Sequence, residues 1–280
     1  MMPLLINQSN PGMIKLLNYA NDAYRIAQKV NSWAGRHIAH FDEVLSFGPQ
    51  DIDVGFRETH KDILIQERGN GLWLWKPYFI NQVINDSKDG DYIFYLDSGA
   101  FFIRDAHLLL PYISEENPMF VTDIPLMECN WTKPSCIEYF QAENLRYTNQ
   151  IQSTYIFFVV NDYTRAFFRE YLEVGESTQL LVSEGLGKYE RVSKNYGDEF
   201  VSHREDQSIL SIMCKMQGIK AHRDISQRGF DPASFYNPNY LYQVPEHPDD
   251  YYPTMVFLHK APNPLNPIVW ARYVKNRFFR

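Results

Sequence analysis

Residues 92–102 read "YIFYLDSGAFF", a run of strand-forming residues that stops at an acid, a serine and a glycine. Its apolar positions do not alternate with polar ones. A strand with one wet face alternates, whereas one covered on both faces is apolar throughout. The chain must therefore cover both sides of a sheet. Beyond the carboxyl end of such a strand lies the usual ligand crevice of an open α/β sheet. Asp97 sits at that end, as a ligand-facing carboxylate or as the cap of the next turn.

The remaining pattern supplies the cover. "PLLINQ" (3–8) predicts a short strand, and "GMIKLLNYANDAYRIAQKVNSWAG" spaces its apolar residues for one or two helices ending near Gly35. "EVLSFG", "PMFVTDI", "IQSTYIFFVVND" and "YPTMVFLHKAPNP" predict further strands. "WLWKPYFINQVINDS", with Pro77 suited to a first turn, "YTRAFFREYLEVG" and "REDQSILSIMCKMQG" predict helices. Alternating strands and helices predict an α/β fold: a mostly parallel central sheet flanked by helices, in a single domain. Residues 175–200, polar and glycine-containing, read as an excursion. His259 also ends a predicted strand, so Asp97 and His259 can meet in one cleft.

Composition narrows the function. A net charge of −7 argues against a nucleic-acid partner, which needs a basic face. Three cysteines without a Cys-x-x-Cys pair give neither a zinc site nor a disulfide framework, and predict free thiols. With no apolar run of 18 residues and no basic, apolar leader, the expected location is cytoplasmic. The C-terminal "PIVWARYVKNRFFR" carries Arg272, Lys275, Arg277 and Arg280, either as a solvated helix face or as a peripheral contact with an anionic membrane.

Three blocks concentrate the chemistry. "RGNGLWLWKP" puts Arg68, Lys76, two glycines and two tryptophans together, with cations suited to a diphosphate and glycines that let backbone approach a ligand. "LDSG" offers Asp97, Ser98 and Gly99. "HREDQSIL" places Glu205, Asp206 and Gln207 at a helix entry, where an acid can equally be a cap.

These blocks resemble the RG-x-G-x-W-x-WKP, GD-x-x-x-YLD-x-G and HR-x-DQSI-x-S signatures of nucleotide-sugar glycosyltransferases of GT-A architecture, common in microbial surface-polysaccharide pathways. The likeness spans roughly residues 40–260 and shares the layout of glycogenin-like transferases. It implies a nucleotide-diphosphate sugar donor and a glycan, lipid-linked or protein acceptor. The donor part would be about 1–125 and the acceptor and catalytic part about 126–280. It implies donor contacts from Arg68, Lys76, Asp97, Ser98, Gly99, Gln152 and Lys260. Asp206, Gln207 and, as an alternative base, Glu205 would be catalytic. It implies a divalent cation, Mn²⁺ or Mg²⁺, held by Asp97 and His259. The departure is Gly99, where such enzymes often carry the second acid of Asp-x-Asp. That leaves open a binding protein of the same fold without catalysis. A nucleotidyltransferase would need a Gly-rich basic loop after its first strand, and a dehydrogenase a G-x-G-x-x-G; neither motif stands there.

Overall fold

The structure is a computed structural model and describes residues 12–182 and 199–271. A seven-stranded sheet runs in the order β2 (Glu43–Phe47), β1 (Ile14–Tyr19), β3 (Tyr92–Leu96), β7 (Tyr155–Val159), β5 (Met119–Met127) and β6 (Asn149–Ile151), with β8 (Ala221–His222) beside β5. The pairs β1–β2, β1–β3 and β5–β8 are parallel; β3–β7, β5–β7 and β5–β6 are antiparallel. The α/β class and the flanking helices are as the sequence predicts, but the sheet is mixed rather than mostly parallel. Apolar runs buried on both faces look alike in either direction, so the pattern carries no information on strand polarity.

The doubly covered strand is real. In β3, Ile93 and Tyr95 join one core and Phe94 and Leu96 the other. The neighbouring β7 divides the same way, with Ile156 and Phe158 opposite Tyr155 and Phe157. The helices Trp75–Asn85, Asp162–Gly175 and Glu205–Met216 supply residues to the first core. The helix Arg25–His37 packs on the other side, where its Asn31 amide donates to the Ala100 carbonyl at 2.8 Å. A second, two-stranded ribbon pairs β4 (Ala100–Phe102) with β9 (Val256–Leu258). This ribbon brings residues 259–260 back to the end of β3.

Two elements differ from expectation. "IKLLNY" is strand β1, not the start of a helix; all six residues are buried, and short apolar runs fit either period. "IQSTYIFFVVND" is two strands, because the chain leaves β6 at Ile151 and re-enters the sheet at Tyr155 beside β3. The predicted strand at 3–8 and the basic residues 272–280 lie outside the described residues. So does 183–198, most of the predicted excursion, whose start holds a helical turn at Thr178–Leu181. The cysteines Cys129, Cys136 and Cys214 are buried free thiols.

Candidate active site

The first block folds into a left-handed turn. Gly69, Asn70, Gly71, Leu72 and Trp73 all have positive φ, between 52° and 95°. Only glycine takes this region at no steric cost; each L-residue there stores about 1–3 kcal/mol, which the surroundings must over-determine. Gly69 is obligatory for a second reason: a Cβ there would lie 2.2 Å from the Trp73 ring. Trp75 closes the turn, its indole N–H donating to the Gly69 carbonyl at 2.8 Å and its ring stacking on Tyr19 at 3.8 Å. The turn thus delivers Arg68 to the surface and Lys76 to the interior, eight residues apart in the chain.

Lys76 is the hub. It is 1% exposed. Its ammonium donates to the Ser153 carbonyl and hydroxyl at 3.0 Å each and to Asp206 Oδ2 at 2.6 Å, and stands 3.7 Å from Asp97 Oδ1. A buried ammonium survives only when paired and hydrogen-bonded, and here it compensates two carboxylates. Two phenols complete the network: Tyr95 donates to Asp97 Oδ1, and Tyr171 reaches Asp206 at 3.4 Å. Burial and then the neighbouring carboxylates push both tyrosines well above their ordinary pKa, so they remain protonated donors. Asp97 itself keeps 30% of its side chain exposed. Its pKa is nevertheless raised, because desolvation outweighs the opposing pull of Lys76 and Tyr95.

The "LDSG" turn ties strand ends together. Ser98 Oγ donates to the Tyr19 carbonyl at 2.6 Å, joining β3 to the end of β1. The Gly99 carbonyl accepts from both His259 N–H (3.0 Å) and Lys260 N–H (2.8 Å). Lys260 has φ +53°, and a Cβ on Gly99 would sit 3.5 Å from Lys260 Cα. Position 99 therefore faces Lys260, whose ammonium is attracted by Asp97 and Asp224. Burial, then Arg228 and Arg204, lower Lys260 to about 8. Arg204 lies over the Trp131 ring at 4.4 Å and Arg228 over Phe235 at 5.0 Å.

Asp97, Asp206, Lys76, Ser98, Gly99 and Lys260 thus come together as expected, but with altered duties. Lys76 is enclosed and its donors are taken by Ser153 and Asp206. Glu205, the alternative base, is 2% exposed and forked by Arg68, whose Nε and Nη2 lie 2.9 and 3.2 Å from its two oxygens. Its φ of +41° at the helix entry holds that geometry. Gln207 donates to Gln150 Oε1 at 2.7 Å, bracing the Glu205–Met216 helix against β6. Gln152 donates to Thr122 and to the Tyr155 hydroxyl at 2.9 and 2.8 Å and is buried behind the sheet end.

Sequence reasoning missed Asp224. It is 4% exposed, accepts from the Tyr155 hydroxyl and from the Ser226 N–H (2.7 Å) through Oδ1, and leaves Oδ2 buried without a partner among the described residues. It missed Tyr95 and Tyr171, which read as core aromatics, and Arg228, which sits in a stretch with no periodicity. Arg204 was in view beside Asp206, but nothing in its spacing showed that it lies over the Trp131 ring.

Asp97 and His259, the pair expected around a cation, are brought to adjoining strand ends by the bond from the His259 N–H to the Gly99 carbonyl at 3.0 Å. His259 Nδ1 accepts the Ala261 N–H at 3.0 Å, so the ring proton resides on Nε2. That Nε2 is buried without a partner among the described residues. Burial pushes the imidazole down to about 4, so the ring is neutral at pH 7. Among the described residues no group of three or more His, Cys, Asp or Glu side chains gathers where an ion could sit.

No family model matches the chain, and no curated protein matches it by sequence. Among solved structures, the bifunctional glycosyltransferase WbbM is similar over 76% of this chain, with 12% identity and a TM-score of 0.43; the chain spans 38% of WbbM. Mouse xyloside xylosyltransferase 1 is similar over 90% of this chain and 99% of its own, at 9% identity and TM-score 0.48. The galactosyltransferase LgtC, solved with donor and acceptor sugar analogs, is similar over 87% and 86%, at 14% identity and TM-score 0.45. Resemblances this loose do not decide function; the residues must.

Proposed function

We propose that the chain is a glycosyltransferase that moves a sugar from a nucleotide-diphosphate donor to a carbohydrate-containing acceptor. One observation carries this reading: the three sequence blocks converge on one ammonium. Lys76, from "RGNGLWLWKP", stands 2.6 Å from Asp206 of "HREDQSIL" and 3.7 Å from Asp97 of "LDSG". The site draws on both halves of the sequence.

The arrangement suits a sugar. Asp97 opens onto the cleft and accepts hydroxyl protons as an anion. Asp206 presents Oδ1, which has no donor among the described residues, while Lys76 and Tyr171 fix Oδ2. Lys76 keeps the pair charged without crossing into the cleft. We assign the charge of a leaving diphosphate to the further cations Lys260, Arg204 and Arg228. Such preorganised charge supports transfer by stabilising what develops in the transition state. Among the described residues no helix is long and apolar enough to cross a membrane. We place the acceptor among glycans and glycan-bearing lipids or proteins.

The test is a panel of nucleotide sugars incubated with the protein, with release of nucleoside diphosphate followed by mass spectrometry. Turnover of at least one donor, lost in Asp97→Asn, is expected. Thermal stabilisation by a donor with no turnover of any would point instead to a binding protein of this fold, the reading that Gly99 invites.

A further inference from the structure

We propose that the cavity at the far end of the β4–β9 ribbon binds a saccharide, a stretch of the acceptor glycan held away from the reacting carbons. Its role as an acceptor contact rests on the glycosyltransferase reading; its capacity to hold a sugar does not.

The ribbon starts at the candidate site and leads away from it. Its near end is the Gly99 carbonyl, which accepts from the His259 and Lys260 N–H groups. Pairing continues past Phe102: the Ile103 N–H donates to the Met255 carbonyl at 2.9 Å, and Arg104 Nε donates to the Thr254 carbonyl at 3.1 Å. From Ala100 to Arg104 is about 13 Å along a strand. That span exceeds one sugar ring, so a ligand that touches both ends is an oligosaccharide. The far end opens into a cavity of about 540 Å³, lined in part by Arg104, Gln227, Phe230, Tyr251, Tyr252 and Thr254. This is the size of a small-molecule site.

Two features select the ligand. The first is exposed aromatic surface. Tyr251 is 83% exposed and Phe230 58%. One exposed ring is ordinary, but two around one cavity mark an interaction site. Both are held in place. The Arg223 guanidinium lies 4.0 Å from the Phe230 centroid and 4.7 Å from that of Tyr252, and donates to the Asp250 carbonyl at 3.3 Å. The Tyr251 N–H donates to the Tyr112 hydroxyl at 3.1 Å. The face of an aromatic ring is negative and stacks on the positive C–H groups of a pyranose.

The second is a polar lining that donates and carries no acid. Gln227 is fixed at both ends of its amide, donating to the Leu258 carbonyl at 2.8 Å and accepting from the Leu258 N–H at 2.9 Å. Arg104 has further guanidinium N–H groups beyond the one given to Thr254, and among the described residues no carboxylate lies within salt-bridge distance of it. Such a lining offers nothing to a basic peptide. Held rings beside fixed donors suit the C–H faces and the hydroxyl or carboxylate oxygens of a glycan.

The experiment is NMR titration of the full chain with hexasaccharides of glucan, xylan, chitin and polygalacturonate, with no nucleotide present. At least one should bind. Tyr251→Ala and Phe230→Ala, both outside the core, should each weaken it about tenfold, the scale of one aromatic stacking contact. Arg104→Gln should weaken it about fivefold, as for one charge-assisted hydrogen bond. Tyr139→Ala removes a ring of similar exposure elsewhere, 59%, and should leave affinity unchanged. Calorimetric titrations with UDP, GDP, CDP and ADP should not respond to Tyr251→Ala, because the cavity is not the donor's. No oligosaccharide bound, or binding that Tyr251→Ala and Phe230→Ala leave intact, overturns the proposal and leaves the glycosyltransferase reading standing. Self-association that Tyr251→Ala abolishes, with no sugar bound, also overturns it, since the rings would then cover a second copy. Sugar binding of the expected kind, with no turnover of any nucleotide sugar, overturns the enzyme reading alone.

Discussion

The two walls of the cleft treat charge in opposite ways. On the inner wall Lys76, Asp206, Asp97, Tyr95 and Tyr171 form a nearly closed account: one ammonium, two carboxylates and two phenols, each donor with an acceptor. On the outer wall Lys260, Arg204 and Arg228 have no carboxylate in salt-bridge range among the described residues, and the two arginines lie over the Trp131 and Phe235 rings. A compensated buried network stabilises geometry and breaks badly. An uncompensated rim adds little to folding and waits for an anion. The same charges therefore predict large stability effects on one wall and large binding effects on the other.

Lys76→Met should have the largest effect. It keeps the volume but strands Asp97 and Asp206 beside each other in a dry site. Removing one partner of a buried ion pair costs about 3–5 kcal/mol. Urea denaturation would read this as a lower midpoint with unchanged slope. A loss below about 1 kcal/mol would mean that water reaches Lys76, and the contrast between the walls would fail.

Asp97→Asn follows. It sits where the walls meet, so its main effect should fall on turnover, about 100-fold or more, the scale of losing one preorganised charged contact. The pH profile sharpens this. Desolvation raises the Asp97 pKa over the counteracting Lys76, and only the anion accepts from two hydroxyls. Activity should therefore fall, as pH decreases, at a higher pH than the ordinary carboxylate value of about 3.9. Asp97→Asn should remove that acid limb. A limb at the ordinary value in the unaltered protein would place Asp97 outside the working set.

Gly69→Ala tests what aims both walls. The new methyl would meet the Trp73 ring at 2.2 Å, in a backbone region that alanine avoids. A loss of about 1–3 kcal/mol is expected, together with weaker donor binding because Arg68 and Lys76 move together. Thermal melts and the same titrations check both parts. Stability lost with binding intact would detach the turn from the site.

Much of this was legible in the sequence, though unevenly. "YIFYLDSGAFF" declared a strand buried on both faces, and β3 divides its residues between two cores accordingly. Asp97 and Asp206 stood out because each is an acid at the end or entry of a strong element. Strand direction was not legible, because apolar runs carry no polarity. Nor were the partners of Lys76, since Ser153 and Asp206 reach it only through tertiary packing. The tautomer of His259 was hidden for a similar reason: it depends on the Ala261 N–H, two residues away but visible only once the turn is built. Arg228 and Asp224 lie in a region without periodicity, where sequence offers no face to read.

Gly99→Ala should do the least, and that is its use. Gly99 does not have positive φ, and the added Cβ would meet Lys260 Cα at 3.5 Å and Lys260 N at 3.8 Å, both ordinary contacts. Stability should change by less than about 0.5 kcal/mol, as for substitutions away from any strained or crowded feature. If so, glycine is not at position 99 for backbone reasons, and the absence of an acid there reflects what faces it. Comparing Gly99→Ala with Gly99→Asp in one denaturation series then separates size from charge. Equal behaviour of the two variants toward a nucleoside diphosphate would mean that Lys260 does not read position 99, and the distinction between the compensated inner wall and the cationic rim would lose its outer half.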